Sequence, residues 1–106
     1  MFVLEDVQDA VTREVLRDLG NKPAETLKSI AYSGLAEEAG EVCGIRKREL
    51  RDYEKDKPKY CKEHKIEEIG DVLWYLAMVC MVENIRLEEV WNYNRAKLEE
   101  RYGHKG

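Results

Sequence analysis

At 106 residues the chain has room for one domain, expected to span 1–106, and for a thin core only. Hydrophobic residues make up 43% of it, which excludes global disorder, and its two prolines favour long helices over many short strands. A net charge of −4 argues against a nucleic-acid binder, although a bound metal would let so acidic a chain take a phosphorylated substrate.

Leu4, Val7, Val11, Val15 and Leu19 recur at three- and four-residue steps, which predicts an amphipathic helix ending near Gly20. The first nine residues are acidic and lack a long apolar region, so no signal peptide is expected. Asn21-Lys22-Pro23 breaks the pattern and starts a second helix, with proline in its first turn and either Asn21 or Lys22 as its cap. That helix is expected from about Ala24 to about Leu50, with Leu27, Ile30, Ala31, Leu35, Ala39 and Val42 on its apolar side. Gly34, Gly40 and Gly44 fall inside it. An internal glycine costs about 1 kcal/mol relative to alanine, so three of them point to close packing against a neighbour.

Residues 51–65 are mostly charged and include Pro58; they read as a solvated connector, or, given their lysines, as a lid over a charged substrate. A third helix is expected from Ile66 to about Val82, where Ile69, Val72, Leu73, Leu76, Ala77 and Val79 predict burial on most sides. Its apolar run from Val72 to Val82 is far short of the roughly 20 residues that span a bilayer, so no membrane segment is expected. Glu83-Asn84 is its expected end, since asparagine tolerates the left-handed cap conformation. A fourth helix is expected from Leu87 to about Tyr102, with Val90, Trp91 and Leu98 facing inward, and residues 103–106 are expected to fray. With no internal repeat, four helices on short connections predict an all-α antiparallel bundle. The odd set Cys43, Cys61 and Cys80, without a CxxC pair, suggests reduced thiols in a cytosolic setting. Cys43 and Cys80 lie in apolar helical stretches and read as small core residues.

The candidate chemistry lies in the acids. Glu37, Glu38 and Glu41 fall within roughly 100° of one another on the second helix, and Glu68 and Asp71 within roughly 60° on the third. Glu67 points more to the side. Gly40 precedes Glu41 and Gly70 precedes Asp71, so the two helices are expected to approach closely beside the acids. Two like charges 4 Å apart repel by about 1 kcal/mol in water and about 4 kcal/mol at an effective dielectric of 20. A cation turns that repulsion into binding, and an all-oxygen donor set suits Mg²⁺, Mn²⁺ or Ca²⁺ and disfavours zinc. The plainer alternative is a solvated acidic stripe. On the fourth helix Asn94, Lys97 and Arg101 share a face that would meet phosphate, or would be a surface stripe paired with Glu100. Tyr75 follows Asp71 by one turn, as a substrate contact or a core tyrosine. Trp74 and Trp91 either stack a base or belong to the core.

The order Glu37-Glu38-x-x-Glu41, then Glu68-x-x-Asp71, resembles the EExxE…ExxD signature of the MazG-like all-α nucleoside triphosphate pyrophosphohydrolases. The surrounding Gly34–Val42 and Glu67–Leu76 resemble it too, and Asn94-x-x-Lys97-Leu98-x-x-Arg101-Tyr102 resembles the family's closing helix. The resemblance runs from roughly Leu27 to Tyr102. It implies that Glu38, Glu41, Glu68 and Asp71 ligate Mg²⁺, with Mn²⁺ as a substitute. Glu37 would hold a further metal or orient the attacking water, so that Glu37 and Glu38 are the catalytic pair. The implied reaction splits an NTP or dNTP into the nucleoside monophosphate and pyrophosphate. Asn94, Lys97, Arg101 and Tyr75 would contact substrate, and association as a homodimer or homotetramer is expected, as the thin core also suggests.

Competing readings are a phosphoribosyl-ATP pyrophosphohydrolase, which shares the acidic layout, and a non-catalytic helical module that binds nucleotide or a partner. A ferritin-like di-iron bundle needs Glu-x-x-His pairs, and His64 and His104 are not so placed. The N-terminal helix and the charged connector match no pattern within the resemblance.

Overall fold

The computed structural model describes residues 1–52 and 62–103. Within them the chain forms four helices and no strand: α1 (Leu4–Leu19), α2 (Ala24–Asp52), α3 (Lys62–Val82) and α4 (Leu87–Tyr102). The connector's residues 53–61, with Pro58 and Cys61, lie outside the described residues, as do residues 104–106 of the tail. No described helix is long and apolar enough to cross a membrane.

Local signals set most helix ends. The Val3 N–H donates to the Asp6 carboxylate at 2.8 Å, satisfying an amide before the first turn of α1. At the end of α3, Asn84 takes the left-handed conformation (φ 58°), and the Ile85 N–H reaches back to the Cys80 carbonyl at 2.9 Å. This six-to-one bond is the asparagine-capped ending read from the sequence. Gly103 also takes the left-handed conformation (φ 70°) and closes α4 with a five-to-one bond, donating to the Glu99 carbonyl at 2.7 Å. The start of α3 differs from the expectation by four residues. Lys62–Lys65 are helical, and side-chain pairs support them: Lys65 Nζ lies 2.6 Å from Glu49 on α2, and His64 Nε2 lies 3.9 Å from Glu68 one turn on.

The core is small. Val11 and Val15 of α1, Ala31 of α2, and Ala77, Met78 and Cys80 of α3 are buried together, with Leu87 at the head of α4. α2 and α3 run antiparallel, matching Tyr32 with Glu83 near one end and Glu49 with Lys65 near the other. The Tyr32 hydroxyl donates to Glu83, which holds that carboxyl below its ordinary range. Gln8, 2% exposed, clips the turn between α3 and α4. Its amide nitrogen donates to the Ile85 carbonyl (2.8 Å) and its oxygen accepts from the Leu87 N–H (2.7 Å), so neither polar atom is left unpaired.

Four expectations are corrected here. α4 packs chiefly on α1 and leaves the bundle beyond Leu87, so Val90 and Trp91 (54% exposed) do not face inward. The radius of gyration is accordingly 16.9 Å, against about 13 Å for a compact chain of this length. With only α1 and α2 packed along it, α3 is not buried on most sides: Ile66, Ile69 (56% exposed), Leu73 (43%) and Leu76 remain open. Cys43 is exposed, whereas Cys80 is buried and its thiol is pushed up by desolvation. Finally, a side chain added at Gly40 or Gly70 would meet nothing within 4 Å, so neither glycine brings the helices together.

The close approach is at Gly34. A Cβ there would lie 2.1 Å from the Tyr75 ring. Gly34→Ala is therefore expected to destabilise the fold by about 1–2 kcal/mol despite alanine's higher helix propensity. Gly40→Ala, in open space, is expected to gain up to about 1 kcal/mol. Urea unfolding of the two variants checks this, and a stabilised Gly34→Ala would contradict the packing.

Candidate active site

α2 and α3 carry the acids to one place because their positions share the inner faces of two antiparallel helices. Glu38 on α2 and Glu68 and Asp71 on α3 each offer a carboxylate oxygen, and these oxygens all lie within 4.8 Å of one another. Glu38 and Glu68 are half-buried and Asp71 is exposed. Loss of solvent, and then the charges of Asp71, Glu68, Glu37 and Glu41, raise the Glu38 carboxyl above its ordinary range. Three carboxylates so close repel in the absence of a cation, and no lysine or arginine ion pair is present at Glu38, Asp71 or Glu68 among the described residues.

The donor set fits a hard cation. Mg²⁺ binds oxygen at 2.0–2.1 Å, so opposite ligands of one octahedral ion lie about 4.2 Å apart, and a shift of less than about 1 Å would bring oxygens held within 4.8 Å onto one ion. Beside the acids is an open hollow of about 360 Å³, lined by Glu38, Asp71, Trp74 and Tyr75. The two rings meet edge to face, centroids 5.0 Å apart and planes at 75°. Trp74 Nε1 donates to Glu14 Oε1 of α1 at 2.7 Å.

The other expected site residues stand apart from this group. Glu37 and Glu41 are exposed and are not among the three converging acids. Glu41 instead lies 4.0 Å from the Arg48 guanidinium two turns along α2. Arg48 reaches back over Gly44, where a Cβ would come within 2.7 Å of it. Asn94, Lys97 and Arg101 are exposed on α4. Lys97 and Arg101 line a separate hollow with Tyr93, Ala96 and Glu100, which has no residue in common with the acidic one. Tyr75 does reach the acidic hollow, seated there by the missing side chain at Gly34.

Residues 25–105 match the MazG nucleotide pyrophosphohydrolase domain. The chain belongs to the MazG family. No curated protein and no solved structure matches it. The family implies a nucleotide substrate and a divalent metal, and in this MazG chain the only described group of acids close enough to share an ion is Glu38, Glu68 and Asp71. All three lie inside the matched residues; α1, with Glu14, Gln8 and the rest of its face, precedes them. Glu14 and Arg48 were not singled out from the sequence. Each is one charged residue among many there, and only the tertiary contact distinguishes it.

Proposed function

We propose that this MazG-family protein is a Mg²⁺-dependent pyrophosphohydrolase that cleaves an NTP or dNTP between its α- and β-phosphates. The observation that carries the reading is the convergence of Glu38, Glu68 and Asp71 from two helices in a chain of this family. Glu38, Glu68 and Asp71 would hold the ion, and Glu41 would join them on leaving Arg48. Mg²⁺, or Mn²⁺ in its place, would neutralise phosphate charge and acidify a water molecule. Glu37 would orient that water and take its proton. The water oxygen adds to the α-phosphorus as the bridging P–O bond breaks, releasing the monophosphate and pyrophosphate. Neither a serine nor a cysteine nucleophile is needed.

The protein would act in the cytoplasm as a homodimer or homotetramer. Within one chain α4 carries Lys97 and Arg101 away from the acids, while α3 exposes the apolar seam Ile66, Ile69, Leu73 and Leu76. A second copy packed on that seam would complete the bundle, and the α4 cations would then meet the substrate held on the acids.

The test is a panel of NTPs and dNTPs incubated with Mg²⁺ or with EDTA, the products being resolved by anion exchange. Monophosphate and pyrophosphate, formed only with metal, are expected. Diphosphate and phosphate would put the cleavage elsewhere, and no turnover of any nucleotide would favour phosphoribosyl-ATP as substrate or a non-catalytic module. Mg²⁺ at a hundred times its Kd is expected to add about 2.7 kcal/mol of stability, a rise in Tm of roughly 10 °C or more over EDTA. An unchanged Tm at millimolar Mg²⁺ would count against the metal site.

A further inference from the structure

The N-terminal helix lies outside the matched residues, yet it touches the hollow beside the acids at one point. Trp74 Nε1 donates to Glu14 Oε1 at 2.7 Å across sixty residues of chain, in a partly buried setting. Indole has a single donor and no acceptor, so this bond uses the only polar atom of the side chain. Trp74 is thereby held in orientation, packed on one side against the core and lining the hollow with the rest of its ring. Tyr75 stands nearly perpendicular to it, so the two rings form a corner, and Glu38 and Asp71 complete the same hollow. A nucleotide has the matching polarity: a chain of phosphates for the metal and acids, and at its other end a flat base whose two faces are both π surfaces. Stacking on an aromatic side chain tolerates any base, because every base has such a face.

We infer that Trp74 is the stacking platform for the nucleotide base and that Glu14 of α1 is the positioning residue that holds the platform. The inference rests on the reading of the protein as a nucleotide pyrophosphohydrolase and adds the base end of the site to it. Recognition at Trp74 goes through the base face, since the indole N–H is already bonded. Glu14 acts through Trp74 alone, without reaching the phosphates.

Glu14→Leu is expected to raise KM for the best nucleotide roughly 5- to 20-fold while kcat stays within about threefold. Its inhibition by inorganic tripolyphosphate with Mg²⁺, a probe with no base, should stay within about twofold. Glu14→Gln, whose amide oxygen still accepts from the indole, should restore KM to near its original value. Trp74→Phe should raise KM as Glu14→Leu does, and the double variant should be no worse than Trp74→Phe alone. Binding is followed without turnover by titrating a nucleoside monophosphate. The emission present in the parent protein and absent in Trp74→Phe should be quenched, and Glu14→Leu should weaken that quenching by the same 5- to 20-fold. An unchanged KM in Glu14→Leu, equal weakening of nucleotide and tripolyphosphate, or additive effects with Trp74→Phe would each overturn the inference. A parent protein that turns over no nucleotide removes the enzymatic reading. The fluorescence titration still decides the stacking in that case, since unquenched Trp74 emission refutes it.

Discussion

In the proposed reaction Glu38→Gln is expected to lower kcat for the preferred nucleotide by roughly 100- to 1,000-fold, the range seen when one contact to transition-state charge is removed from an enzyme. The expectation follows from its place: Glu38 is the single α2 member of the three converging carboxylates, so its loss leaves Glu68 and Asp71 facing a neutral amide. The fold should survive, because the change relieves a local conflict. Desolvation and the neighbouring acids hold the Glu38 carboxyl above its ordinary range, which means that folding disfavours its ionised form. For such a group the folded state is favoured below the unfolded value and loses that advantage as pH rises through the folded one. In EDTA at pH 8 Glu38→Gln should therefore melt above the parent protein. Its advantage should fade as pH falls towards about 4.5 and the parent's carboxyl takes up a proton. Turnover and melting curves across pH measure both effects. Full activity in Glu38→Gln would place the chemistry elsewhere, and a lower Tm at pH 8 would deny the repulsion among the acids.

The positions of the four helices were legible because periodicity and punctuation agree. Val11 and Val15 lie on the apolar side read for α1, and Asn84 ends α3 in the left-handed conformation, whereas Gly103, expected to fray with the tail, instead caps α4. The meeting of Glu38, Glu68 and Asp71 was legible for a related reason: three- and four-residue steps put each set on one face, and α2 and α3 are neighbours in the chain. Periodicity identifies a face without saying what covers it. Trp91 and Val90 lie on an apolar side of α4, yet both stay exposed, with Arg95 over the Trp91 ring, because Gln8 and Leu87 fix only the head of that helix. Glu14 reads like any exposed acid of α1 until Trp74, sixty residues on, is seen to donate to it. At the early start of α3, Lys65 meets Glu49, a tertiary contact with no local pattern. Small residues mislead in the same way. Gly34 accommodates Tyr75 and Gly40 accommodates nothing, although the sequence around each predicts close packing equally.

In the proposed homo-oligomer, Leu73→Glu is expected to release a monomer of 12.4 kDa. Ile66, Ile69, Leu73 and Leu76 follow one another at steps of three, four and three, the spacing of a helical seam that seeks another helix. On a helix wheel this seam lies on the side of α3 away from Asp71, so a second copy can cover it without closing the acidic hollow. A contiguous apolar stripe of this kind is uncommon on a monomer's surface. A carboxylate at its centre would have to be buried without a partner, at a cost of several kcal/mol, and each 1.4 kcal/mol weakens association tenfold. Leu73 is open to solvent in the single chain, so the fold of each copy should persist, and circular dichroism should be unchanged. Sedimentation at about 10 μM measures the mass. If Lys97 and Arg101 reach the substrate of the neighbouring copy, turnover falls with dissociation and returns as concentration is raised. An oligomer that survives Leu73→Glu would shift the contact to the Val90 and Trp91 side of α4. A parent protein that is itself monomeric would leave Lys97 and Arg101 without a route to the acids through a second copy.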